Sequence, residues 1–76
     1  MYNDFNNNPL SEGDVVIFTH IKLIEKKAVL TKCKVKKLFK DEDSNHPLVS
    51  LEEIVGEGQA PITYYTREPH KQIMKL

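Results

Sequence analysis

The groups best suited to covalent chemistry in this chain are one thiol and three imidazoles, Cys33, His20, His46 and His70. A thiolate nucleophile needs an imidazole beside it at an accessible turn or helix end. Cys33 falls instead in an alternating run. Thr31, Cys33 and Val35 share one side and Lys32, Lys34 and Lys36 the other, so the thiol is expected inside as a small buried hydrophobe. The histidines show neither H-x-x-x-H nor paired-cysteine spacing, and no metal site or cofactor is expected from them. His20 is expected to face solvent or pair locally, and His46 and His70 to lie on loops.

Asp41, Asp43, Asn45 and Glu52 fit the first, third, fifth and twelfth positions of a calcium-binding loop. The sixth position, where such loops need glycine for a sharp turn, holds His46, and Pro47 follows. No helices are expected on either side. The segment from Asp41 to His46 therefore reads as a solvated hairpin loop.

Lysine is the more informative residue type. Seven lysines lie between Lys26 and Lys40, and Lys32, Lys34 and Lys36 alternate. On a strand, alternate residues share a face, so these three ammonium groups would line up at about 6.6 Å spacing. Such a row can follow phosphates, and it can also guard a sheet edge against aggregation. The competing intramolecular reading pairs strands two and three in a hairpin, so that Glu52 and Glu53 neutralise Lys34 and Lys36. Lysine plus arginine and aspartate plus glutamate both total 11, and this zero net charge favours the intramolecular reading. A second candidate surface is Tyr64-Tyr65-Thr66-Arg67. One tyrosine should point inward and the other outward, where beside Arg67 and His70 it could anchor a protein or stack on a base.

The elements that must position these residues are strands. Val15 to Ile21 is dense in β-branched and aromatic residues and follows the turn-forming Ser11-Glu12-Gly13-Asp14. Ala28 to Phe39 forms a second strand, with Val35-Lys36-Lys37-Leu38 breaking alternation as a bulge would. Leu48 to Val55, Ile62 to Thr66 and Ile73 to Leu76 supply three more. Arg67-Glu68-Pro69-His70 suits a tight turn or a single 3₁₀ turn before the last strand. The rival to the first hairpin is a helix over residues 20 to 40, because Ile21, Ile24, Ala28, Thr31, Val35 and Leu38 also fall at helical spacing. It would wrap lysines around its whole circumference, which favours the two-strand reading.

Seventy-six residues allow one small domain with a thin core, too thin to enclose a large catalytic cleft. Residues 1 to 10 are asparagine-rich and are expected to form a flexible lead, with Tyr2 or Phe5 docking on the domain. The single cysteine excludes an internal disulfide, and no apolar run approaches a membrane span, so no membrane association and a cytoplasmic location are expected.

Five short strands, the Gly13-Asp14-Val15-Val16 opening and a short helical turn before the last strand resemble an SH3-like barrel. The opening is similar to that of small bacterial or phage SH3-like domains, including KOW and Tudor-like modules. The resemblance covers about residues 12 to 76 and rests on layout. It departs from peptide-binding SH3 domains in having no tryptophan, and from KOW domains in lacking a central glycine in the second strand. It implies a mainly β fold, with residues 11 to 76 as one five-stranded barrel, and a binding module rather than an enzyme. The expected function is a small binding or adaptor protein that modulates a larger protein partner. The alternative is a nucleic-acid-binding module. In either case the candidate residues are Lys32, Lys34, Lys36, Tyr64, Tyr65 and Arg67.

Overall fold

The computed structural model describes residues 2–22 and 26–76. It contains β1 (Val15–Lys22), β2 (Lys27–Lys40), β3 (Pro47–Glu53), β4 (Thr63–Thr66), a single helical turn α1 (Pro69–Gln72) and β5 (Ile73–Lys75). Between His20 and Lys40 the described residues form two strands rather than a helix, and residues 23–25, which include Ile24 of the helical alternative, lie outside the described residues. All five strands belong to one antiparallel sheet in the order β4-β3-β2-β1-β5. No hydrogen-bonded pairing joins β4 to β5 among the described residues, so the sheet stays open and is not a closed barrel.

Alternation decides what the sheet buries. Val16 and Phe18 of β1, Cys33 and Val35 of β2, Val49 and Leu51 of β3 and Ile73 of β5 point to one side and form the core. β2 is long enough to serve both halves of the sheet. Val15 to Lys22 pair with its first part, and Pro47 to Glu53 with its second. A register shift between Val35 and Lys37 lies where the two halves meet. The extra residue, Lys36, increases local twist and lets Val35 and Leu38 both face the core despite their odd spacing. The sheet coils enough for Tyr64 on β4 to reach Phe18 on β1, with ring centroids 5.2 Å apart.

The turn before β5 is α-helical rather than 3₁₀, because the amides of Gln72 and Ile73 reach the carbonyls four residues back, at Glu68 and Pro69. Pro69 starts it, where a missing N–H costs nothing. The Ser11-to-Asp14 turn forms as expected. The Asp14 amide donates to the Ser11 carbonyl, and Gly13 takes the positive φ of 93° that glycine accepts without strain.

Residues 2–10, whose composition suggests a flexible lead, are placed against the sheet. Leu10 enters the core, and Tyr2 packs over it and donates its hydroxyl to the Phe39 carbonyl at 2.6 Å. Asp4 is the organising residue. Its carboxylate accepts the amides of Asn6 and Asn8 at one oxygen and of Lys75 at the other. The Phe5 amide bonds the Ile73 carbonyl, so this loop also covers the outer edge of β5.

Candidate functional site

The side of the sheet facing away from the core carries the lysines. β2 alternates as its sequence indicates, with Cys33 and Val35 buried and Lys32, Lys34 and Lys36 exposed. The register sets Lys34 between Val15 and Glu52, and Lys32 opposite Ile17. β2 is paired with strands on both sides only at Cys33 and Lys34, so Lys34 guards no edge.

The three lysines are not equivalent. Lys36, displaced by the bulge, makes an ion pair with Glu52 at 3.1 Å. Glu53 does not join it. As the register partner of buried Cys33, it belongs to the core side, where its charge helps raise the Cys33 and Tyr64 pKa values. Lys32 and Lys34 have no carboxylate within ion-pair distance among the described residues, whereas Arg67, Lys71 and Lys75 are paired with Asp41, Glu68 and Asp14. The expected row of three is thus a free pair plus a neutralised neighbour.

The tyrosine–arginine candidate divides in the same way. Tyr64 faces inward, close to Phe18 and to His20, whose ring centroid is 4.7 Å away. Burial, and then the Glu53 carboxylate, hold its hydroxyl above the usual tyrosine range. Tyr65 points outward and is 62% exposed. Arg67 is tied to Asp41 at 2.5 Å, which pins β4 to the β2–β3 loop. Tyr65 is therefore the only side chain of this trio left both exposed and unpaired.

Cys33, His20 and the Asp41 loop are each engaged in the fold. Burial, followed by the Glu53 charge, pushes the Cys33 thiol up to about 11, so it is protonated at neutral pH. His20 is half-buried on the inner face, stacked on Phe18 and sharing a 2.8 Å hydrogen bond with Thr31. Asp41 organises its own loop by accepting the Asp43 amide and the Ser44 hydroxyl, with Asn45 at positive φ. Glu52 is engaged with Lys36 on the outward side of β3, so the calcium-loop spacing does not become a coordination shell. No cluster of three or more metal-ligating side chains occurs among the described residues.

The structure adds aliphatic residues to the lysine face that charge and aromatic patterns did not indicate. Ile17 lies between Lys32 and Met74, Thr19 opposite Leu30, and Ile21 opposite Ala28, all on the outward side of β1, β2 and β5. Leu30 is 71% exposed, Ile21 66% and Met74 41%. Burying one such side chain is worth roughly 1.5–3 kcal/mol, and here that gain is unrealised. The sequence held a signal for this. The run Val15-Val16-Ile17-Phe18 is apolar at both parities, so a one-sheet protein must leave one set outside.

Comparison with protein-family models, with curated proteins and with solved structures finds no match for this chain.

Proposed function

We propose that this protein is a small non-enzymatic binding or adaptor module, acting on a larger protein partner through the outward face of β1 and β2. The observation that carries this reading is the pair Lys32 and Lys34, without a carboxylate partner among the described residues and set among exposed aliphatic side chains, while the other candidate cations, Lys36 and Arg67, are paired with Glu52 and Asp41. The fold reading that goes with it is an SH3-like barrel left open between β4 and β5. Three features support it: the order β4-β3-β2-β1-β5, the long bulged β2 shared by both halves, and the helical turn between β4 and β5. A cytoplasmic location suits a buried, unpaired thiol such as Cys33.

Nucleic acid along β2 draws less support. Phosphate binding needs an extended cationic track, but Lys36 is neutralised by Glu52 and Arg67 by Asp41. The one exposed tyrosine lies on β4, with β3 between it and the lysine strand.

The test is cross-linking capture of a partner from the native host with the wild-type chain and with the double variant K32E/K34E, beside titration of labelled DNA and RNA at two salt concentrations. A protein captured by the wild type and lost from the double variant supports the reading. Tight, salt-weakened nucleic-acid binding with no captured protein would replace it.

A further inference from the structure

We infer that the outward face of β1, β2 and β5 is built for an acidic, aliphatic protein segment; this rests on the binding-module reading and specifies the partner's chemistry. The face combines Ile17, Ile21, Leu30 and Met74 with Lys32 and Lys34, and cross-strand register makes these neighbours rather than scattered positions. Ile17 sits between Lys32 and Met74, and Leu30 precedes Lys32 by one repeat along the same side of β2. An open groove of about 180 Å³ borders the patch, with Phe5, Thr19 and Met74 among its walls. Its size suits one aliphatic side chain.

Charge chooses the occupant. The outward positions of β1, the first part of β2 and β5 hold aliphatic residues, threonine, alanine and lysine, and no carboxylate. A second copy docked on this face would set lysines against lysines, and the nearest outward carboxylate among the described residues, Glu52 opposite Lys34, is already engaged by Lys36. A nucleic acid would press phosphates against leucine and isoleucine, which desolvates the phosphates without a compensating partner. A segment carrying aspartate or glutamate beside leucine or isoleucine satisfies both halves of the face. Its carboxylates meet Lys32 and Lys34, and its apolar side chains cover Ile17, Leu30 and the groove beside Met74.

The experiment is selection of short random peptides, displayed on phage, against the immobilised full chain. Selected peptides are then synthesised and titrated by fluorescence anisotropy against the wild type, Leu30→Glu, K32E/K34E and Tyr65→Ala. The substituted side chains are exposed, and circular dichroism checks that each variant keeps its fold. The expected result is acidic, aliphatic peptides whose binding weakens roughly tenfold or more in Leu30→Glu and in K32E/K34E, and is unchanged in Tyr65→Ala. Peptides that ignore the first two variants and are lost with Tyr65→Ala would overturn this face while leaving a binding module in place. Failure to select any peptide, together with co-sedimentation on phosphatidylcholine vesicles containing phosphatidylserine, would overturn both in favour of an anionic lipid surface.

Discussion

Two buried groups carry the clearest consequences of single residues. Asp4 is 1% exposed and charged, a position tolerable only because three backbone amides point at its carboxylate. Burial raises its pKa, but the amides of Lys75, Asn8 and Asn6 together outweigh burial and bring it below the ordinary 3.8. A lowered pKa in the folded state means stability that is present above the unfolded value and lost as pH falls through the folded one. Thermal stability should therefore fall below about pH 4, and Asp4→Ala should cost about 3 kcal/mol at neutral pH and flatten that acid limb. Urea unfolding of both proteins across the acid range checks this. An Asp4→Ala protein as stable as the wild type would remove Asp4 as the organiser of the N-terminal loop. Cys33 has the opposite sign. Its pKa, raised from 9.0 to about 11, gives stability that is complete below the unfolded value and declines as pH rises through that interval. The native thiol should resist a disulfide reagent at neutral pH and react fully once the chain is unfolded, which a colorimetric thiol assay measures.

Among the elements, β2 decides both the fold and the face. Its bulge at Lys36 lets one strand present Val35 and Leu38 to the core while pairing with β1 at one end and β3 at the other. Deleting Lys36 would force a choice, because a one-residue shift sends either the Leu38 side or the Cys33 side outward. The expected cost is about 2–4 kcal/mol, measured as a lower urea midpoint. An unchanged midpoint would mean that the bulge only accommodates twist. The strands themselves were legible because β-branched residues and turn formers mark them, and even the bulge left its trace in the broken alternation of Val35-Lys36-Lys37-Leu38. Partnering across strands was not legible. Which of Glu52 and Glu53 would reach the lysines depended on register, and only the parity set by Cys33 and Lys34 assigned Glu52 outward and Glu53 inward. The packing of residues 2–10 was hidden for a related reason. An asparagine-rich stretch has no periodicity, and its order comes from one carboxylate whose amide donors include Lys75, far along the chain.

For the whole molecule, a sheet open between β4 and β5 has one covered face and one bare one. The N-terminal loop adds Tyr2 and Leu10 to the covered side and shields the β5 edge, and the outward face keeps its aliphatic and cationic side chains exposed. The sequence pointed to Lys32, Lys34 and one of the two adjacent tyrosines as exposed polar or aromatic features. Tyr64 went to the core by alternation, and Arg67 and Lys36 were taken by Asp41 and Glu52. The aliphatic half of the face became visible only when register placed Ile17 beside Lys32 and Met74. The most direct test of this face is amide and methyl chemical-shift mapping of the labelled chain as its captured protein partner is added. Perturbations should centre on Ile17, Leu30, Lys32, Lys34 and Met74. Perturbations confined to Tyr65 and Arg67 on β4 and its following turn would contradict it.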